Sequence, residues 1–254
     1  MPSLPECAEN LLQAPLNAAF ASEYPKILER KIMKFAKTIE NLEAWRADLR
    51  PVKLDEILSA GAEKTAFLSI DLINGFCKQG ALASPRCASV AAGTAEIFKA
   101  AYERGARNLL LIQDCHDAQS AEFSAFPPHA LGGTDEAEAV SELKSLKFYD
   151  ELKIIRKNSL SIGCAPEFVK FLAQNPQIST FALFGDCTDL CVYNAASYLA
   201  LSANEANVAR RVIVPANLVQ TYDAPWHEGD FYQLVFLNHM SQAFNAQIVS
   251  EILV

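Results

Sequence analysis

The apolar positions of this 254-residue chain change rhythm near residue 65. Before that point Leu28, Ile32, Phe35, Ile39 and Leu42 recur at intervals of four and three, with Lys, Glu and Arg between them. The spacing predicts one amphipathic helix. Pro51 stops or redirects it, and a second short helix around Leu54 to Leu58 ends at Gly61. A stripe of this kind docks on the body of a protein, or offers a partner surface or a lid. Beyond residue 65, short apolar runs alternate with helical periods. TAFLSID, RNLLLIQD, KIIRK, TFALFGD and RRVIVPAN read as strands. VAAGTAEIFKAAYERG, a segment from 135 to 145, PEFVKFLAQN, residues 190 to about 203 and most of 228 to 250 read as helices. Strands alternating with helices predict an α/β fold, a doubly wound three-layer sandwich with a mostly parallel sheet, plus an N-terminal helical extension. The extension takes residues 1–62 and the main domain 63–254.

Composition adds exclusions. Apolar residues make up 51% of the chain, enough for a sizeable core. The formal net charge is −8 and no basic cluster stands out, which argues against nucleic acid and against an anionic membrane surface. A small-molecule partner remains, with room for a homo-oligomer. Cysteines stand at 7, 77, 87, 115, 164, 187 and 191. Their number is odd and no CxxC pair occurs, so they read as reduced thiols of a cytoplasmic protein. MPSLPECAENLL lacks the basic start and apolar core of a signal peptide, and no apolar run is long enough to span a bilayer.

In open parallel sheets the ligand site lies at the carboxyl ends of the strands. Asp71 ends the first strand, Asp114 the second with His116 two residues on, and Lys157 the third. The fourth leads into the turn that carries Cys187 and Cys191. Cys191 falls in the first turn of a helix, where the dipole and free N–H groups favour a thiolate and can hold an oxyanion. Asp71 could take the thiol proton, Lys157 would lower the thiol pKa, and the amides of Cys187 and Cys191 could form an oxyanion hole. Singly, each residue has a plainer reading: small buried cysteines, a turn cap and a solvated charge. A second cluster is the long loop DCHDAQSAEFSAFPPHALGGT, residues 114–134. Asp114, His116 and His129, with Glu122 as a fourth donor, suit one divalent metal ion, zinc foremost, with manganese or iron as alternatives. The plainer reading is a polar loop with two surface histidines. His227 and His239 have no such neighbours and read as surface or core-satisfied residues.

Four segments, taken in order, carry a resemblance: DLINGFCKQGALAS (71–84), the 114–134 loop, RKNSLS and GDCTDLCVYNAA. Over about 65 to 250 the chain resembles the isochorismatase-like cysteine hydrolases, and within them the nicotinamidases. The resemblance implies Asp71 as general base, Lys157 as the ammonium and Cys191 as nucleophile. It implies a cis peptide between Cys187 and Thr188, shaping an oxyanion hole made by the amides of Cys187 and Cys191. It also implies Asp114, His116, Glu122 and His129 as metal ligands, and Phe76 and Phe126 as walls stacking on a flat ring. The implied reaction converts nicotinamide to nicotinate and ammonia through a thioester, with the metal holding the pyridine nitrogen. Two features depart from the pattern: Gly75 stands where aspartate is common, and NSLSIGCAPEF lacks an aromatic often found there. They bear on the substrate more than on the mechanism. The competing readings are a metal-free amidase acting on a carbamoyl or ureido group, and a non-catalytic binding protein on this fold. The isochorismatase reaction itself fits less well, since those enzymes lack the cysteine.

Overall fold

A computed structural model of the chain describes residues 18–254. It divides into two compact units, at Trp45 and Arg46. Helix α1, Ala18–Ala47, covers the predicted amphipathic segment. Phe35 on it is exposed, and Ile39 and Leu42 are half-buried. The side chains of Leu28 and Ile32, and Cys7 altogether, lie outside the described residues.

The second unit is built on a 7-stranded sheet. Strand β1, Val52–Lys53, precedes the short helix Leu54–Ile57 and pairs in parallel with the last strand, β9, Ile252–Leu253. The large sheet contains β2 (Thr65–Ile70), β3 (Asn108–Asp114), β4 (Lys153–Lys157), β5 (Thr180–Asp186), β6 (Arg211–Pro215), β7 (Val219–Gln220) and β8 (Gln247–Val249). Its order is β4-β3-β2-β5-β6-β8, with β7 on β5, and every pairing is parallel. Four helices cover it: α2 (Ala91–Glu103), α3 (Pro166–Gln174), α4 (Cys191–Ala206) and α5 (Gly229–Phe244).

Every residue of β2 and β5 is buried, as a sheet covered on both faces requires. On one face Phe67 stacks on Phe184 at 6.3 Å, and Phe98 of α2 meets Phe184 edge-on at 6.0 Å. At the alternate positions Leu68, Leu110 and Leu183 are equally inaccessible, which only a second helical layer provides. Phe168 of α3 and Tyr198 of α4 meet in the helical cover at 6.3 Å. No described helix is long and apolar enough to cross a membrane.

One expected helix differs. The 135–145 segment is a 3-10 turn, Asp135–Ala137, and a four-residue helix, Ser141–Lys144. Between them the chain is extended: Asn74 N–H donates to Glu138 O, Val140 N–H donates to Leu72 O, and Ile73 bridges Ala139. Those bonds to the loop after β2 take the groups a continuous helix would need. The final helix stops at Phe244, because Asn245 adopts a left-handed cap (φ 53°). The chain then extends into β8 beside β6. Strands β1, β7, β8 and β9 have two or three residues, too few to show a period.

Candidate active site

The chain leaves β2 through β3 and β4 on one side and returns as β5 on the other. The crevice at that reversal is where open α/β sheets bind ligands. Asp71 follows β2 in a left-handed conformation (φ 53°), which aspartate tolerates better than most residues. Its N–H donates to Ile112 O, and its Oδ1 accepts the N–H of Asp114 at 2.7 Å. The turn thus folds the carboxylate back over β3.

Lys157, at the end of β4, is the hub. Its Nζ lies 2.8 Å from Asp71 Oδ2, 2.5 Å from Asp114 Oδ1 and 3.5 Å from Cys191 Sγ. One carboxylate oxygen each of Asp71 and Asp114 lies within 4.8 Å of the Cys191 sulfur. None of the four residues is more than 4% exposed. The Lys157–Asp71 contact is an ion pair without hydrogen-bond alignment, so Oδ2 keeps a lone pair for another proton.

Burial sets the protonation states. Burial, with Asp114 adding to it, raises the Asp71 carboxyl to about 6 even though Lys157 opposes the change. Asp114 resists its own burial because Lys157 and His116 hold it below the usual carboxylate range. Lys157 likewise resists burial, since Asp114 and Asp71 push it well above an ordinary lysine. Burial pushes the Cys191 thiol well up, and Lys157 only partly opposes it. The expected lowering by the lysine is therefore present but outweighed, and the resting thiol carries its proton.

Cys191 opens α4. The Cys187 carbonyl accepts from the amides of Leu190 and Val192, on either side of it. The Cys191 amide has no backbone acceptor among the described residues, which suits an oxyanion donor. The cis peptide lies between Asp186 and Cys187, one bond earlier than expected between Cys187 and Thr188. The reversal starts directly at the end of β5, because Asp186 still pairs with Gln220 and the Thr188 N–H is already committed to Gln220 O.

The loop after β3 brings its four expected residues together. One ligating atom each of Asp114, His116, Glu122 and His129 lies within 4.8 Å of the others. His116 Nδ1 meets Asn158 Oδ1 at 2.8 Å, and His129 Nδ1 meets the Pro127 carbonyl at 2.8 Å. Both partners are acceptors, so both Nδ1 atoms donate, which leaves both Nε2 atoms as the ring nitrogens available to a metal. Asp114 Oδ2, His116 Nε2 and Glu122 Oε1 are buried without hydrogen-bond partners. His116 Nε2 stands 3.7 Å from Asp114 Oδ2 and 3.8 Å from Glu122 Oε1, too far for hydrogen bonds. Inward-facing orphan donors of mixed nitrogen and oxygen type fit a divalent cation.

Asp114, Glu122 and His129 face a cavity of about 550 Å³ that Asp71, Cys191, Phe76, Phe126 and Trp226 also help to line. The Phe76 ring lies 5.4 Å from the His129 ring and the Phe126 ring 6.2 Å from it. Sequence reasoning missed Asn158 and Phe123, whose ring stands 5.4 Å from His116 and 5.7 Å from His129. Asn158 directly follows Lys157 at the end of a strand, and that placement was the available signal. It also missed the link from His227, which is buried and core-satisfied. Its Nε2 lies 2.9 Å from Asp189 Oδ2 in the turn before Cys191 and its Nδ1 2.9 Å from Tyr222 O. His239 is an exposed residue bonded to the Tyr193 hydroxyl at 3.0 Å.

The isochorismatase domain matches residues 65–250, and the chain belongs to the isochorismatase family of hydrolases. Among its relatives, "Nicotinamidase 1" of Arabidopsis thaliana is 30% identical over 193 residues, covering 70% of this chain and 78% of that protein. A nicotinamidase from Bacillus subtilis superposes with a TM-score of 0.58 at 24% identity, over 73% of this chain and 99% of that one. N-carbamoylsarcosine amidase from Thermoplasma acidophilum gives 0.59 at 20% identity, over 73% and 95%. The pyrazinamidase of Pyrococcus horikoshii, solved in complex with zinc, gives 0.57 at 21% identity, over 75% and 98%. At these identities the three solved structures establish the fold.

Proposed function

We propose that the chain is a metal-containing cysteine amidohydrolase that converts nicotinamide, or a close relative, to the acid and ammonia. One observation carries the reading: the Asp71–Lys157–Cys191 cluster and the inward-facing set of Asp114, His116, Glu122 and His129 share the Asp114 carboxylate. The Cys191 sulfur attacks the amide carbon while its proton passes to Asp71. A carboxyl that titrates near about 6 is a base at neutral pH and an acid once loaded. Lys157 holds both partners in place through the change of charge. The amides of Cys187 and Cys191 receive the oxyanion. Asp71 returns the proton to the departing ammonia, leaving a thioester on Cys191. Water then attacks the thioester, gives its proton to Asp71, and the acid leaves as the thiol re-forms. Phe76 and Phe126 form the walls for a flat ring. Asp114, His116, Glu122 and His129 would hold a divalent cation, which would supply a Lewis acid able to orient a ring-bearing amide.

A metal-free amidase acting on a carbamoyl or ureido group is the second reading, and the fold likeness to N-carbamoylsarcosine amidase keeps it in view. The orphaned buried atoms of the loop favour the first. The test is ammonia release from nicotinamide and from N-carbamoyl amino acids, with elemental analysis of the same protein before and after chelation. Turnover of nicotinamide that falls with the metal supports the proposal. A protein that binds no metal and prefers carbamoyl substrates refutes it, and no turnover of any amide supports a binding protein.

A further inference from the structure

Behind the nucleophile turn lies a second group of ligating atoms that the proposed reaction does not use. Asp186 closes β5 with its carboxyl fully buried. Lys157 is spent on Asp71 and Asp114, and the neighbours of Asp186 are thiols. Cys77 Sγ lies 3.9 Å from Asp186 Oδ2, and Cys187 Sγ lies 4.0 Å from Oδ1. One ligating atom each of Cys87, Asp186 and Cys187 lies within 4.8 Å of the others. Cys77, Cys87 and Cys187 are 7%, 1% and 8% exposed. Burial pushes the Asp186 carboxyl far up, and contact with the Cys87 thiol together with burial does the same to Cys187. With no cation the group is therefore neutral and fully protonated. Packing explains buried cysteines, which behave as small apolar residues. It does not by itself call for an aspartate at the last position of a strand buried on both faces, where the carboxyl finds only weak thiol donors, Cys77 to Oδ2 and Cys187 to Oδ1.

The spacing supplies a reason. A tetrahedral ion with sulfur at about 2.3 Å and oxygen at about 2.0–2.2 Å sets its ligand atoms about 3.5–3.8 Å apart. The Cys187 Sγ–Asp186 Oδ1 distance exceeds that by a few tenths of an ångström. We propose that Cys87, Asp186 and Cys187 form a second metal site, with Cys77 beside Asp186 as a neighbouring thiol, for a thiophilic divalent cation such as zinc or cadmium. It is separate from the histidine and carboxylate set, and its thiols make it the softer of the two. Each thiol that binds gives its proton to solvent as the sulfur–metal bond forms, the Asp186 carboxyl gives up its own as its oxygen binds, and no electron is transferred. Asp186 and Cys187 also line the substrate cavity, which gives the ion a way in. A bound ion would tie the short helical turn Pro85–Ala88 to the end of β5.

The test uses the full chain with Cys191→Ala, stripped of metal and titrated with cadmium ion, reading the ultraviolet thiolate-to-cadmium charge-transfer band. The expected result is a band that saturates at about one equivalent with proton release, and that persists when His116→Ala is added. Adding Cys87→Ser should weaken the band and cut affinity by about tenfold or more. Asp186→Asn keeps all the thiols, so it should lower affinity similarly while the band remains, and it decides the matter if Cys87→Ser fails to fold. Absence of the band, or a titration unchanged by both substitutions, overturns the proposal. The readout involves no turnover, so it stands or falls apart from the amidase reading.

Discussion

Asp71→Asn is expected to stabilise the fold at neutral pH while it removes the base. The Asp71 carboxyl is raised from 3.8 to about 6, chiefly by burial and then by Asp114. Above that value the carboxylate is ionised in folded and unfolded chain alike, and the folded chain carries the whole cost of the gap, about 3 kcal/mol. Below about pH 4 both forms are protonated and the cost disappears. The stabilising contribution of the neutral group is therefore present at low pH and lost as pH rises through about 6. Asparagine avoids the cost at every pH. It presents an amide N–H₂ to Lys157 where Oδ2 stood at 2.8 Å, and two donors facing each other there cost about 1 kcal/mol. The variant should gain about 2 kcal/mol near about pH 8, gain less as pH falls, and lose its advantage near about pH 4. Urea unfolding followed by far-ultraviolet circular dichroism, in chelator at several pH values, measures this. A variant less stable than the parent near about pH 8, or a difference that does not change with pH, would refute the electrostatic reasoning.

Four further outcomes are expected. Cys191→Ala should abolish ammonia release, whereas Cys187→Ala should keep most of it, because only the Cys187 amide takes part; a substrate-like alkylating agent found on Cys187 by peptide mapping would reverse the assignment. The pH profile of kcat/KM should fall on the acid side of about 6, where Asp71 is already protonated and cannot take the thiol proton; a flat profile there would exclude Asp71 as the base. His116→Ala should erase metal retention and Glu122→Ala should only weaken it, measured by elemental analysis, with alkylation of Cys191 scarcely changed in either. Gly185→Ala should cost about 3 kcal/mol or more, or prevent folding, since a Cβ there runs into the Ile70 carbonyl of β2 from a backbone at φ 108°; soluble protein with unchanged urea unfolding would contradict it.

The five long strands and the helices between them were legible because strands buried on both faces read as unbroken apolar runs, as in TFALFGD. Strand ends were legible for the same reason: a polar residue that stops such a run, such as Asp71, Asp114 or Lys157, marks the carboxyl edge of the sheet. The 135–145 segment misled because its helical spacing competes with long-range backbone bonds from Leu72 and Asn74, which no local pattern contains. The depth of Cys191 was also hidden. Spacing puts it at a helix start, where a low thiol pKa is the usual consequence, but only the packed structure shows that burial outweighs Lys157. The thiol cluster around Asp186 draws on positions 77, 87 and 187, which only the fold brings together.

Asp114 divides its two oxygens between two tasks. Oδ1 meets Lys157 at 2.5 Å, and Oδ2 turns to the atoms of His116, Glu122 and His129. A cation bound by that set would compete with Lys157 for one carboxylate. By thermodynamic reciprocity, whatever a bound cation takes from the hold of Asp114 on Lys157, the lysine takes from the affinity for the cation. Removing the ammonium should tighten ion binding, and loading the ion should ease proton loss from Lys157. Ion occupancy and the charge of the reaction centre then belong to a single equilibrium, and a change made on one side of Asp114 is registered on the other.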